Sequence, residues 1–395
     1  MDTEEKLMHH ALKLALVILA LVLSACGGGG SSGSEAPEPV TPPPVTEPTP
    51  VTLIAGVATP PVDYDWTNPD PELGCVDGAA LGAKMAAKSS WAFARPANGN
   101  LLFADSGYCD SRYRIRAINP AGNTIKTLAV GAPVGSDDKE ALTTFLTPTS
   151  LAVAPSGDIY IGDSDIFEMN SNWGTRYTSG RGPGIWKLGT DGNISVLAGV
   201  RLPMGRLDGV GATASFKFIE AMCYGSDGLL YVNDSGSLRT VSANGAVTTA
   251  ATNSGGVVVQ SLATCGIDGS VLVRRWFNNS ANDDFYDPIV QKSIAKVSVS
   301  GLIVSPSSNF LSAYFGPDNP SVLVKGFDPD YYDLIIVNLV DGSSETMAKF
   351  PPPYTFVDLT ATPPVIDSPF AGVATGGMNF DILTRQSVIR FTRKP

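Results

Sequence analysis

Histidine, the side chain most often used as a general base and a transition-metal ligand, is confined to one end of the chain. Both histidines, His9 and His10, lie among the first ten residues. If residues 1–25 are removed as a leader, as argued below, the remaining chain contains no imidazole. We therefore exclude histidine-based catalytic triads and histidine–zinc sites.

Four of the five cysteines lie beyond the first fifty residues, at positions 75, 109, 223 and 265. In an exported chain this even number allows two disulfides. Cys75 and Cys109 fall in connections expected at the same end of one repeat, so we predict that they pair. Cys223 and Cys265 fall in neighbouring repeats. The sequence does not decide whether they form a second disulfide or remain two buried thiols. Without histidine, a cysteine nucleophile is not expected.

The amino terminus has the features of an export signal. Leu14–Leu23 is an unbroken apolar run that is too short to cross a membrane, which is typical of a signal-peptide core. The following Leu23-Ser24-Ala25-Cys26 resembles a bacterial lipobox. This resemblance implies that residues 1–25 are removed and that Cys26 is lipidated; the alternative is an ordinary secretory leader with a chance cysteine. Translation starts at Met1 or at Met8.

Residues 26–50 have the composition of a tether. Gly and Ser are followed by Pro, Thr and Glu, a sequence that cannot bury a core and favours extended chain. Several acyl chains on Cys26 would anchor the protein stably in a membrane. Gly27 resembles the residue that follows the cysteine in lipoproteins sorted to the Gram-negative outer membrane. We therefore predict an outer-membrane lipoprotein that faces the periplasm or the cell surface.

Residues 51–395 repeat a pattern of short β-strands joined by tight turns. Hairpin turns with glycine recur at Gly122, Gly192, Gly245, Gly301 and Gly342. Each hairpin follows a second pair of apolar runs, so each unit holds four strands. The chain stops at SVIRFTRKP, a third strand without a fourth, whereas Val51–Gly56 matches the fourth-strand strings. The sequence predicts an all-β, six-bladed β-propeller with four-stranded antiparallel blades, closed by this amino-terminal strand.

Recurring residues connect this pattern with a known repeat. Asp208-Gly209 precedes Phe216 by the same eight residues that separate Asp77 from Met85 and Asp137 from Phe145. Arginines recur in the third strands, in IRAI and VIRF. These features resemble NHL repeats, most clearly over residues 51–250 and the last strand, and the boundaries of blades four to six stay open. The resemblance implies an architecture but no activity.

Recognition usually uses loops on a rigid scaffold, so we predict a ligand face at the end of the sheets with the longer connections. These connections are residues 57–89, 132–147, 164–183, 277–291 and 350–367. Aromatic side chains suited to peptide or sugar contacts occur there or beside them: Trp173, Tyr177, Trp276, Tyr286, Tyr331 and Tyr332. Neighbouring acidic residues are the type that can hold Ca²⁺, but no calcium-loop spacing is present. Solvated acids with packed aromatics are the simpler interpretation.

An enzymatic alternative is the gluconolactonase-like group of six-bladed propellers, which this ring resembles in architecture. The resemblance implies a divalent metal held by Glu, Asn and Asp in the central channel, and Glu220, Asn233 and Asp234 are the candidates here. Asp105 and Asp163 occupy the position of Asp234 in earlier repeats. This recurrence weakens the metal hypothesis, because a repeated Asp more often caps a turn or braces a sheet.

Net charge bears on the class of partner. The formal charge of −11 and the absence of a Lys/Arg run argue against a nucleic-acid partner. We predict a non-catalytic module without a cofactor, anchored to the membrane by its lipid, that binds a protein, a peptide or an envelope glycan. A scaffold subunit of an envelope assembly is the second non-enzymatic possibility, and a metal-dependent lactonase or esterase is the alternative.

Overall fold

The computed structural model describes part of the chain, and the structural statements below concern that part. It comprises residues 51–57, 72–87, 92–133, 142–164, 169–170, 174–175, 181–200, 205–251, 257–265, 271–277, 285–286, 309–314, 321–325, 333–338, 344–349, 371–376 and 379–392. All of them belong to the unit Pro48–Pro395. The predicted leader, the lipidation site Cys26 and the tether up to residue 50 lie outside the described residues.

Nearly all regular structure here is short antiparallel strand. The strands are β1 (Val51–Gly56), β2 (Gly78–Ala79), β3 (Phe93–Ala94), β4 (Leu101–Gly107), β5 (Arg112–Asn119), β6 (Thr124–Pro133), β7 (Pro148–Val153), β8 (Ile159–Asp163), β9 (Met169–Asn170), β10 (Gly174–Thr175), β11 (Gly184–Leu188), β12 (Ile194–Gly199), β13 (Gly209–Val210), β14 (Ile219–Tyr224), β15 (Leu230–Asp234), β16 (Ser237–Val241), β17 (Ala246–Ala251), β18 (Val257–Cys265), β19 (Val271–Phe277), β20 (Phe285–Tyr286), β21 (Asn309–Tyr314), β22 (Ser321–Lys325), β23 (Asp333–Asn338), β24 (Ser344–Lys349), β25 (Ala371–Gly376), β26 (Asn379–Leu383) and β27 (Ser387–Phe391). One 3₁₀ turn, Gly211–Thr213, lies between β13 and β14.

The strands form sheets that follow one another along the chain. Sheet A has the order β2-β6-β5-β4-β3, sheet B β12-β11-β8-β7, sheet C β13-β17-β16-β15-β14, sheet D β18-β19-β20, sheet E β21-β22-β23-β24 and sheet F β1-β27-β26-β25. A separate ribbon pairs β9 with β10. The first strands of successive sheets are neighbours in the cyclic order β3, β7, β14, β18, β21, β25 and back to β3. This cyclic arrangement of antiparallel meanders is an all-β propeller.

The predicted closure is confirmed. Val51 pairs with Phe391 and Gly56 with Ser387, so β1 is the outer strand of sheet F. The carboxyl-terminal strand therefore does not leave an open edge, which would otherwise offer unpaired backbone groups to another chain.

The prediction of six uniform four-stranded blades is not reproduced by the described residues. Three of their sheets have four strands, two have five and one has three. The fifth strands, β2 and β13, form where Gly78-Ala79 and Gly209-Val210 pair with the outer strands β6 and β17. Each pairing covers only two residues. The chain then continues to the first strand of the same sheet, which is β3 after β2 and β14 after β13.

The outer strands share an irregularity. In each of five of them the register skips a single residue: Ile54, Leu128, Leu197, Ala250 and Met347. In β6 a second shift also skips Gly131 and Ala132. Such β-bulges bend and twist a strand, which makes an exposed sheet edge a poorer template for further pairing. The residue after each single skipped residue is alanine, and Ala55 and Ala198 are fully buried.

The hydrophobic core lies between the sheets. Apolar side chains of sheets A and B form one cluster, those of sheets B and C a second, those of sheets F and A a third, and those of sheets E and F a fourth. Met85, Phe145 and Phe216, which share the eight-residue spacing from an Asp, are all fully buried. That spacing therefore places one large side chain in the core beside each entering first strand.

The two ends of the sheets differ in their connections. At one end, here called the turn end, residues 154–158, 189–193, 225–229 and 242–245 join first strands to second and third to fourth. Gly192 and Gly245 adopt φ of 83° and 80° there, as their turns require. In the turn after β5, by contrast, Asn123 rather than the predicted Gly122 has the positive φ, 46°.

At the opposite end, the loop end, residues 164–183 separate β8 from β11, and residues 200–218 link β12 to β14 around the short strand β13. Not every connection at this end is long, since Ser235-Gly236 alone joins β15 to β16. The prediction of a face with longer connections therefore holds for some sheets and not for others.

Candidate functional site

A buried aspartate stands at or near the end of the second strand in three successive sheets. Asp105, Asp163 and Asp234 are no more than 1% exposed. Asp163 accepts hydrogen bonds from the backbone N–H groups of Leu146 and Thr147 at 2.9 and 2.7 Å, and Asp234 accepts those of Lys217 and Phe218 at 2.7 and 2.9 Å. These carboxylates fix the segment that enters each first strand.

In sheets A and C an arginine of the third strand completes this brace. Arg239 donates from Nη1 to Asp234 and from Nη2 to Asp208, each at 2.8 Å. Asp208 also accepts from the backbone and the hydroxyl of Thr249 on the outer strand. Partial burial raises the pKa of Asp208, but Thr249 and Arg239 outweigh it and the pKa is lowered. The brace therefore ties the second, third and outer strands together.

Sheet A repeats the arrangement. Arg116 donates to Asp105 at 3.0 Å and to Asp77 at 3.3 Å, and Asp77 accepts from the backbone and hydroxyl of Thr127. The recurring Asp and Arg residues of the sequence pattern are thus structural partners. Sheet F has a different pair, because Asp381 and Arg390 are direct register partners on its second and third strands, and Arg390 donates two hydrogen bonds to Asp381 at 2.6 and 2.7 Å. Ile389 occupies the strand position of Arg239 there.

Sheet B builds its brace differently. Trp186 occupies the third-strand position of the arginine, and its indole Nε1 donates to Asp163 at 3.1 Å. The cation comes instead from Arg181, just before β11, which pairs with Asp163 through Nη2. Sequence reasoning missed Arg181. The available signal was that the strand GIWKL lacks the arginine found in RIRAI and LRTV.

The three metal-ligand candidates do not form a free ligand set. Both oxygens of Asp234 accept hydrogen bonds from the brace. Asn233 donates from Nδ2 to Oε2 of Glu220 at 2.7 Å, and its Oδ1 accepts the N–H of Gly236. These contacts engage both oxygens of Asp234, Oδ1 of Asn233 and one of the two carboxylate oxygens of Glu220. The metal site stays a prediction. The one Cys/Asp/Glu/His group close enough for a metal, among residues that the structure describes, contains Cys75 and Cys109, which are disulfide-bonded.

Glu220 is a further partly buried carboxyl group, on the first strand of sheet C. It is half-buried at a register shift of the innermost strand β14, between Ile219 and Ala221. Burial raises its pKa to about 7, and the neighbouring Asp234 adds to this rise, against the opposing effects of Asn233 and Arg206. Glu220 is therefore a carboxyl group that changes its charge near neutral pH.

Both cysteine pairs are joined. Cys75–Cys109 links two connections of sheet A, with Cα atoms 6.4 Å apart. Cys223–Cys265 links the first strands of sheets C and D, with Cα atoms 5.6 Å apart. The sequence left this second pair open between a disulfide and two buried thiols, and the structure has the disulfide.

The structure says little about the aromatic candidates. Trp173, Tyr177, Tyr331 and Tyr332 lie outside the described residues. Trp276 belongs to β19 and Tyr286 to β20, and these two strands pair with each other. The predicted aromatic ligand face therefore stays a prediction.

No helix in the described residues is long and apolar enough to span a membrane. No family model matches the chain, and no curated protein matches it. Among solved structures, it is similar to an auxiliary nutrient binding protein from Bacteroides ovatus, with 10% identity, a TM-score of 0.50, and coverage of 87% of this chain and 76% of that one.

Two further similar structures are a protein of unknown function from Bacteroides thetaiotaomicron and virginiamycin B lyase from Staphylococcus aureus. The first has 14% identity and a TM-score of 0.47 and covers 87% of this chain and 75% of that one. The second has 14% identity and a TM-score of 0.39 and covers 76% and 79%. The likeness at a TM-score of 0.50 concerns the fold alone, and it agrees with the propeller arrangement described above.

Proposed function

We propose that this chain is a lipid-anchored binding module of the bacterial cell envelope, without catalytic turnover. Cys26 carries the lipid, residues 27–50 act as the tether, and the anchor lies in the outer membrane. The ligand is a protein, a peptide or an envelope glycan, bound at the loop end of the propeller. The similarity of the fold to an auxiliary nutrient binding protein is compatible with this role.

The observation that carries the proposal is the use of the buried carboxylates. Asp105, Asp163 and Asp234 accept hydrogen bonds from backbone groups and from an arginine each, so these carboxylates hold strands of the propeller together. Histidine is absent after position 10. A rigid scaffold whose buried polar groups hold its own strands together favours recognition over catalysis.

The experiment compares two variants of the lipid-free protein, residues 27–395. In the first, a short Gly/Ser linker replaces residues 165–180, which leaves Arg181 and β11 intact. The matched control carries Asp191→Ser in the turn 189–193 at the opposite end. We expect the unchanged protein and the control to bind on a glycan array or to retain a stoichiometric partner from detergent-solubilised membranes, and the loop variant to lose that binding. Retention by the loop variant would refute the loop-end site.

The same assays separate the remaining possibilities. A stoichiometric membrane partner would favour a scaffold subunit, and binding to glycans alone would favour carbohydrate recognition. A metal present in the purified protein, together with a lactonase or esterase activity that Glu220→Ala abolishes, would favour the gluconolactonase-like alternative. Partition of the full-length protein into detergent, lost on Cys26→Ser, tests the anchor.

A further inference from the structure

A cleft opens at the turn end between sheets A and B. It has a volume of about 340 Å³, within the range of small-molecule sites. Its apolar part includes Leu102, Ala117, Val153 and Leu188, and the polar side chains that line it are amides and a hydroxyl, Asn98, Asn100 and Thr190. No charged residue lines it, although the chain has a net charge of −11.

The neighbouring interface, between sheets B and C, shows why this cleft is open. Leu102 is the third residue before Asp105, and Tyr160 is the third before Asp163, so these two residues are equivalent. Val153 pairs with the first residue of β8, as Tyr224 pairs with the first residue of β15. At the second interface Tyr160 and Tyr224 therefore occupy the positions that Leu102 and Val153 occupy at the first.

The two tyrosines fill their interface. Their rings stack at a centroid distance of 5.7 Å and an interplanar angle of 12°. Beside them, Lys187 and Asp158 form an ion pair of 2.9 Å, where the first interface has the equivalent Ala117 and Asn100. The first interface thus has smaller residues at three of these positions and no charged residue at any of the four.

From this difference we propose that the cleft between sheets A and B binds a small uncharged aromatic molecule. Its ring would lie between Leu102 and Val153, where the next interface holds its stacked rings. The amides at the rim can bond a hydroxyl or carbonyl substituent, and a charged ligand would be desolvated without a counter-charge. The site lies at the end opposite to the proposed loop-end site, so it is independent of that proposal.

The test uses p-cresol as the neutral probe, with 4-hydroxyphenylacetate and tyramine as its charged counterparts. Binding to residues 27–395 is followed by ligand-observed NMR and by calorimetry. We expect one saturable site for p-cresol and at least tenfold weaker binding of both charged probes. Absence of p-cresol binding, or equal binding of the charged probes, would overturn the proposal.

Two double variants exchange the interfaces. Leu102→Tyr with Val153→Tyr introduces the tyrosine pair into the open cleft, and we expect p-cresol binding to weaken at least tenfold. Tyr160→Leu with Tyr224→Val opens the second interface, and the number of sites should rise from one to two. Leu81→Tyr with Val210→Tyr is the matched control, because it adds two tyrosines at exposed positions outside the cleft.

If the first double variant does not fold, Thr190→Trp at the rim replaces it, with the same expected loss. Unchanged binding after either substitution, in a protein whose unfolding is cooperative, would contradict the site. Equal loss in the control would likewise contradict it, since those positions do not line the cleft.

Discussion

Sheets C and B neutralise an equivalent buried aspartate with arginines from different positions in the chain. Each has a buried aspartate that holds the entry to its first strand. In sheet C the cation is Arg239, which neutralises two carboxylates and belongs to the sheet itself. In sheet B a tryptophan stands at that position, and the cation is Arg181, which follows a long connection and pairs with one carboxylate. The aspartate is thus the constant element, and the cation can come from elsewhere.

This comparison explains why the brace gives architecture without activity. A buried carboxylate requires hydrogen bonds and a counter-charge, and any arginine with the right reach can supply the charge. In sheet D, Arg275 occupies the strand position that Asp234 occupies in sheet C. There the disulfide Cys223–Cys265 provides the link between neighbouring sheets.

The largest expected effect tests the difference between the two arginines. Arg239→Met leaves Asp234 buried without its cation and also frees Asp208, so we expect a loss of about 4 kcal/mol in the free energy of unfolding. Arg181→Met leaves Asp163 bonded to Trp186 and two backbone groups, and we expect about 2 kcal/mol. Urea unfolding measures both. Equal losses would show that the ion pair of Arg239 with its second carboxylate, Asp208, contributes nothing to the free energy of unfolding.

The second prediction concerns the link to sheet D. Cys223→Ser with Cys265→Ser opens a loop of 42 residues, and we expect a loss of about 3 kcal/mol in the free energy of unfolding. Cys75→Ser with Cys109→Ser opens a loop of 34 residues within sheet A and is the matched control. By loop length the two losses should be similar. A much larger loss in the first variant would indicate that sheet D depends on the disulfide because it has no aspartate at the brace position.

The third prediction concerns the pH dependence of stability that Glu220 contributes. Its pKa is about 7 in the folded protein, above the ordinary value of 4.5, because burial disfavours the charged form. The folded state then binds more protons than the unfolded state between these two values. The contribution of Glu220 to stability is therefore most favourable below pH 4.5, falls as the pH rises to about 7, and stays constant above.

Glu220→Gln should remove this dependence. We expect the free energy of unfolding of the unchanged protein to fall by about 2 kcal/mol more than that of the variant between pH 4.5 and 8, after allowance for partial exposure. Glu72→Gln, at an exposed position, is the control and should follow the unchanged protein. If Glu220→Gln showed the same pH dependence of the free energy of unfolding as the unchanged protein, that dependence would have to come from other titratable groups.

Much of the ring could be predicted from the sequence because its signals are local. The closing strand is predictable because Ile54-Ala55 matches Leu197-Ala198. The structure shows the reason, since the first residue of each pair forms the β-bulge and the second is buried. The role of Arg181 could not be predicted, since its partner Asp163 lies across a connection of variable length. The stacking of Tyr160 on Tyr224 depends on packing between separate sheets, which no local pattern encodes.

The smallest expected effect tests the bulges of the outer strands. Leu128 is the bulge residue of β6 and is 37% exposed, so Leu128→Ala should cost less than about 1 kcal/mol. Ala198→Leu, at a fully buried position directly after the equivalent bulge of β12, should cost about 2 kcal/mol through overpacking. Urea unfolding of the two variants measures the contrast. If Leu128→Ala cost as much as Ala198→Leu, the bulge residue itself would contribute to the core, and the alternation of bulge and buried alanine would not explain the match between the outer strands.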